Sequence, residues 1–216
     1  MKRLVLFSVL VGVVFATSFV SAQQRYPLGA GNVALKVDYF RFTDDVVGGL
    51  DLQGGVYVGV EGYAPLLMPN LYLGLETGWA GTENDANVFV FGLPQNQPAA
   101  PVPVDLETDY MPVEFNGKYV FEMNPSLVLD VGAGLSLNYF SIELESLGRS
   151  VEHDEWLLGG QLFADLNYKI QNWFIGANIK CQLTDDLEFR PAGGFRIISD
   201  VDATNLRAGA QVGMLF

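Results

Sequence analysis

The chain has 216 residues, 50% of them hydrophobic, a formal net charge of −13 and one cysteine, Cys181. Such acidity excludes a nucleic-acid partner, whose phosphates it would repel, and a lone cysteine cannot close an internal disulfide. The fold is therefore expected to be held by its own core or by a membrane.

Residues 1–22, MKRLVLFSVLVGVVFATSFVSA, place Lys2 and Arg3 before a long apolar run that ends on the small residues Ser21 and Ala22. They read as a secretory signal peptide cleaved after Ala22. Val20-Ser21-Ala22 fits a cleavage site and no basic stop-transfer cluster follows, so a retained transmembrane helix is not expected. With no cysteine after the run, neither is a lipid anchor. Loss of two basic residues takes the net charge from −13 to −15. Beyond residue 22 no apolar run approaches the ~20 residues of a membrane helix.

From there the hydrophobicity alternates with the period of a strand. Val33, Leu35, Val37 and Tyr39 fall on one parity, opposed by Lys36 and Asp38. Leu50, Leu52, Val56, Val58 and Val60 oppose Asp51, Tyr57 and Glu61, and Leu71, Leu73, Leu75 and Trp79 oppose Tyr72 and Glu76. Met111, Val113, Phe115 and Tyr119 oppose Glu114, Asn116 and Lys118. Leu127 to Tyr139, Trp156 to Tyr168 and Trp173 to Leu183 oppose Asp130, Asp165, Lys169 and Lys180. Leu206, Ala208, Ala210, Val212, Met214 and Phe216 oppose Arg207 and Gln211. These are about eight strands, the even number a single-chain outer-membrane barrel requires.

The connections alternate as well. APLLMPN, EMNPS and IQN are short, whereas residues 43–49, 81–106, 141–154 and 184–204 read as long polar loops. Short periplasmic turns alternating with long outer loops is the pattern of a transmembrane barrel with both termini in the periplasm. The prolines of LPQNQPAAPVPV are expected to keep that loop out of the sheet. The expectation is an all-β, single antiparallel up-and-down barrel over residues 23–216, with no second domain.

A soluble lipocalin-like binding barrel would turn its apolar face inward. The inverted arrangement is favoured because the apolar parity is nearly unbroken. Its ends carry Tyr39, Trp79, Tyr119, Tyr139, Trp156, Tyr168, Trp173 and Phe216, suited to two interfacial girdles. Strands of about 10 residues, tilted ~40°, also cover the ~25 Å apolar band. The lumen would then hold Lys36, Lys118, Lys169, Lys180 and Arg207 facing Asp38, Asp51, Glu61, Glu76, Glu114, Asp130 and Asp165. About eight strands leave room for little beyond side chains, so these charges are expected to pair in place of an apolar core and close the lumen. A small gated pore is the competing use.

YMPVEFNGKYVF (Tyr110 to Phe121) and LDVGAGLSLNYF (Leu129 to Phe140) resemble paired central strands of the small OmpA/OmpX-like outer-membrane β-barrel proteins. The resemblance spans residues 23–216 in architecture and implies an integral outer-membrane location. Phe216, with Met214 and Val212 on its parity, is similar to the C-terminal signal read by the barrel-assembly machinery. That machinery and outer-membrane lipid are the implied partners, with a surface ligand at the outer loops. No peptidoglycan-binding domain follows the barrel, so no cell-wall tether is expected.

No enzyme is expected. His153, in SVEHDEW beside Ser150, Glu152, Asp154 and Glu155, is the only histidine. Lipid A deacylases place His and Ser two apart on a strand, and this chain has no such pair. The loop acids Asp44, Asp45, Glu83, Asp85, Glu143, Glu145, Asp185, Asp186 and Glu188 lack calcium-loop spacing, so neither a metal nor a cofactor is assigned. Cys181 falls on the lipid-facing parity. Glycines such as those of GAG, with no helix after them, are expected to thin the lumen rather than bind phosphate.

Overall fold

The computed structural model describes residues 26–43, 54–66, 68–89, 101–146, 149–187 and 201–216, with backbone alone at 82–89, 101–106, 142, 144–146, 149–153, 186–187 and 201–202. The signal peptide, Asp44, Asp45, Asp51 and Glu188 lie outside the described residues. So do the side chains of Glu83, Asp85, Glu145, Ser150, Glu152, His153 and Asp186.

The strands are β1 (Asn32–Phe42), β2 (Gly55–Pro65), β3 (Leu71–Phe89), β4 (Pro101–Asn124), β5 (Leu127–Ser146), β6 (Arg149–Ile170), β7 (Trp173–Thr184), β8 (Asp186–Leu187), β9 (Val201–Asp202) and β10 (Asn205–Leu215). Eight of them close an antiparallel barrel in the order β1-β10-β7-β6-β5-β4-β3-β2, while β8 and β9 pair separately. The barrel is shut by β1 against β10, with Val33 opposite Met214, as the terminal parity requires. Closure leaves no unpaired strand along the wall.

Alternation selects the faces. Leu35, Val37, Phe115, Leu135, Leu162, Ile175, Ile179 and Val212 are exposed on the outside, while Lys36, Glu76, Glu114, Lys180 and Arg207 are buried inside. This is the inverse of a lipocalin. Tyr39, Trp79 and Trp156 mark the loop end of the apolar band, and Tyr119, Tyr168, Trp173 and Phe216 its turn end. Tyr168 and Trp156 are 12 residues apart on β6, which at ~3.3 Å per residue and ~40° tilt puts the belts about 30 Å apart.

The turn end is tight. Asn124 Oδ1 accepts from the Ser126 and Leu127 amides at 2.9 Å each, and Gln171 takes φ 58° to turn β6 into β7. Residues 26–31 fold beneath the barrel as a strap. Leu28 is wholly buried, its amide donating to Tyr72 Oη at 3.0 Å, and Gly31 and Phe216 exchange two backbone hydrogen bonds of 3.0 Å.

Two long loops of the expectation are corrected. Residues 81–106 contain the end of β3 and the start of β4, with Phe89 opposite Pro101 and Asn87 opposite Pro103. Pro101 and Pro103 therefore lie inside a strand. They are tolerated because β5 joins β4 only from Asp105, leaving that stretch bonded on one side. Residues 141–154 likewise belong to β5 and β6, which pair as far as Ser146 and Arg149.

Candidate functional site

The central layer of the lumen is built from two walls of opposite sign. Glu61, Glu76 and Glu114 stand side by side on β2, β3 and β4, each the register partner of the next. Lys36, Arg207 and Lys180 line β1, β10 and β7, the next strands round the barrel, with Arg207 and Lys180 register partners. Like charges directly opposite on neighbouring strands repel, so each row is held by the facing row.

Glu76 is the hub. Its Oε2 accepts from Lys180 Nζ at 2.6 Å and Lys36 Nζ at 3.2 Å. Its Oε1 accepts from Tyr57 Oη at 3.3 Å and Arg207 Nη1 at 3.4 Å. Lys36 also donates to Glu61 at 2.9 Å, and Glu114 accepts from Lys180 and Arg207. Below this layer Lys118 pairs with Asp130 at 2.9 Å and sits 3.9 Å from the Tyr63 ring centroid. Arg207 stacks 4.5 Å from the Tyr57 ring centroid. Buried charges are costly unless paired, and here Glu61, Glu76, Glu114 and Asp130 each meet a cation.

Of the expected network, Lys36, Asp38, Glu61, Glu76, Glu114, Lys118, Asp130, Asp165, Lys180 and Arg207 are all buried in the lumen. Lys169 is corrected: at the turn-end rim it pairs with Glu122 at 3.4 Å and donates to the Pro27 carbonyl at 3.0 Å.

The expectation that charge replaces an apolar core is also corrected, because apolar layers cap the polar one at both ends. Phe40, Phe42, Tyr110 and Phe140 pack together towards the loop end, with Tyr110 and Phe140 centroids 4.9 Å apart. Leu28, Tyr63, Tyr72, Val120, Val128 and Phe163 pack towards the turn end. Gly78, Gly74 and Gly132 make room for these rings, since a Cβ there would lie within 2.5 Å of Tyr57, Tyr63 or Phe163. Beneath the upper layer Ser136, Asn138, Gln182 and Tyr110 form a neutral hydrogen-bonded cluster.

Above the outer belt polarity changes face. Outward positions pass from Tyr39 to Arg41, from Trp156 to Asp154, from Leu183 to Asp185 and from Met111 to Asp109 and Glu107. Trp79 Nε1 donates to Asp109 Oδ1 at 2.9 Å across that boundary. Beyond it β3 continues past Gly81 with β4 as its only partner among the described residues, and residues 149–157 of β6 pair only with β5. At the loop end β3, β4, β5 and β6 thus continue as a four-stranded sheet whose outer strands have no further strand partner there among the described residues.

The single histidine position, His153, lies on this extension, opposite Ile142. Among the described residues no set of three His, Cys, Asp or Glu side chains converges as a metal site.

A closed eight-stranded antiparallel barrel, apolar outside and charged inside, is the fold of the small outer-membrane barrels. Among solved structures it is similar to Neisserial surface protein A (TM-score 0.54, 13% identity, covering 87% of this chain and 98% of that one). It is similar also to Ail, the attachment invasion locus protein of Yersinia pestis (0.53, 13%, 86% and 99%). A third is a major outer membrane protein from Thermus thermophilus (0.50, 13%, 86% and 100%). No family model and no curated protein matches the sequence.

Proposed function

We propose that this chain is an integral outer-membrane protein whose lumen is closed and whose role is structural or exercised through its outer surface, without catalysis. The observation that carries the reading is the pairing of an apolar belt outside with a lumen filled by ion pairs and capped by side chains at both ends. Such an exterior is stable only in lipid, and such an interior leaves no continuous path for solute.

The termini and the short turns share one end of the barrel, which in this reading is periplasmic. Signal-peptide cleavage after Ala22 precedes assembly, and the C-terminal strand with Val212, Met214 and Phe216 is the element presented to the assembly machinery.

The contact surface is the projecting sheet. Its outer strands, without a further strand partner among the described residues, offer backbone donors and acceptors to an added strand from a partner. The exposed outward acids at its base, Glu107, Asp109, Asp154 and Asp185, disfavour a polyanionic ligand. This separates the chain from Ail, which is known in complex with the heparin analogue sucrose octasulfate.

Two measurements test the reading together. Cell fractionation with heat-modifiable gel migration should place the folded protein in the outer membrane, and recovery in the soluble periplasm would overturn it. Refolded protein in a planar bilayer should give a flat current trace, and discrete conductance steps would replace closure with the small-pore function.

A further inference from the structure

Matching the lumen's carboxylates to its cations leaves two over. Among the described residues Asp38, Glu61, Glu76, Glu114, Asp130 and Asp165 are buried in the barrel against Lys36, Lys118, Lys180 and Arg207. Glu61, Glu76, Glu114 and Asp130 each have a cationic nitrogen in direct contact. Asp38 and Asp165 do not. Asp38 Oδ1 accepts from the neutral Asn178 amide at 2.8 Å, and the cation nearest Asp165 is Lys36 Nζ at 4.0 Å. The two carboxylates without a close cation account for the whole surplus.

Around the same two residues the unpartnered acceptors outnumber the donors left without a hydrogen bond, Arg207 Nε, Lys118 Nζ and Tyr63 Oη. Asp38 Oδ2 and both Asp165 oxygens are buried without a partner, as are the acceptors Asn178 Oδ1, Glu61 Oε1 and Asp130 Oδ1 around them. Asp165 also stands directly across from Asp130 in the β5–β6 register, so two ionised carboxylates would face each other. The cations are committed elsewhere: Lys118 to Asp130, Lys36 to Glu61 and Glu76, and Lys180 and Arg207 to Glu76 and Glu114.

We propose that Asp38 and Asp165 are proton-binding sites, each held as a neutral carboxylic acid at neutral pH. One proton on each makes the described lumen electrically neutral. On Asp38 Oδ2 it supplies a donor for Asn178 Oδ1, converting a single amide contact into a reciprocal acid–amide pair. On Asp165 it removes the like-charge opposition to Asp130 and adds a donor where acceptors are in excess.

The groups facing Asp38 are Lys36 on its own strand, Arg207 from β10, Glu76 from β3, Tyr57 from β2 and Asn178 from β7. Those facing Asp165 are Lys36 from β1, Glu61 and Tyr63 from β2, Lys118 from β4, Asp130 from β5 and Lys180 from β7. The aromatic layer above and the Leu28 strap below keep bulk water from hydrating either ion. The assignment rests on the closed-lumen reading.

Infrared spectroscopy of the complete mature protein in lipid vesicles tests it. At neutral pH the wild type should show a carboxylic-acid carbonyl band that shifts in heavy water. Asp38→Asn and Asp165→Asn should each remove about half of it and the double variant nearly all, with the same or a higher urea midpoint. A wild type without the band, or a band that survives in the double variant, overturns the proposal. Conductance of the same preparation separates the two readings: a flat trace with no acid band sinks the proton sites alone, and current steps sink closure.

Discussion

Lys180 and Glu76 meet at 2.6 Å in the middle of the barrel although 104 positions separate them in the chain. The contact can form only when β7 and β3, on opposite sides of the closed sheet, have both found their registers. The ion pair therefore reports completion of the barrel rather than formation of any one hairpin.

Removing one member of that pair should be strongly destabilising, because it leaves buried charge uncompensated. Glu76→Gln leaves Lys36, Lys180 and Arg207 buried with one fewer anion, for which a loss of about 3–5 kcal/mol is expected. Lys169→Met removes only rim contacts, the pair with Glu122, whose side chains are 14% and 36% exposed, and the hydrogen bond to the Pro27 carbonyl, and should cost about 1–2 kcal/mol. Urea unfolding of both variants in detergent micelles checks the contrast.

The lipid face has its own ranking. Leu135 is 72% exposed in the middle of the apolar band, and Leu135→Arg should cost about 2–4 kcal/mol. Leu206, beside the outer boundary and opposite Arg41, should tolerate arginine at about 0–1 kcal/mol. Similar losses at the two positions in lipid vesicles would place the band elsewhere.

Phe216 separates assembly from stability. Its backbone is bonded to Gly31 through two main-chain contacts, which a serine keeps, while its ring is half-exposed at the rim. Phe216→Ser should lower the amount of folded barrel in cells while leaving the urea midpoint of refolded protein within about 1 kcal/mol of wild type. Equal assembly in cells would remove the signal role.

The strap gives a fourth test. Deleting residues 26–30 exposes Tyr63 and Tyr72 at the base but leaves the Glu76 layer intact. Fluorescence quenching by a small solute added on that side should rise, and planar-bilayer current should stay flat. A current in the deletion variant would move the seal from the ion pairs to Leu28.

The sequence makes the barrel wall legible because lipid imposes one parity on every strand. Leu35, Val58, Leu75, Phe115, Leu135, Leu162, Ile175 and Val212 all fall where alternation puts them, and the charged residues opposite them are consequently inside. Beyond the outer belt lipid no longer acts, and the acids of SIELES and EHDEW look like loop. Their alternation was nevertheless present with the apolar set on the other parity, Ile142 and Leu144 against Glu143 and Glu145. Charge identity likewise names the lumen set, but not which carboxylate meets which cation, since that depends on strands as distant as β3 and β7. Leu28 precedes the first periodic segment, so its place under the barrel is set by Tyr72 and Phe216 rather than by any local pattern.

The two charged walls have a further consequence for how the protein meets electrical force. In the Glu76 layer positive and negative groups are separated across the barrel, from β1, β10 and β7 to β2, β3 and β4, and not along the direction in which a membrane voltage falls. Moving charge along that direction is what lets a potential do work on a protein. A field applied through the bilayer pulls the two walls in opposite senses along the same axis while their mutual attraction acts at right angles to it. A transmembrane voltage therefore does little work on the ion pairs between the two walls.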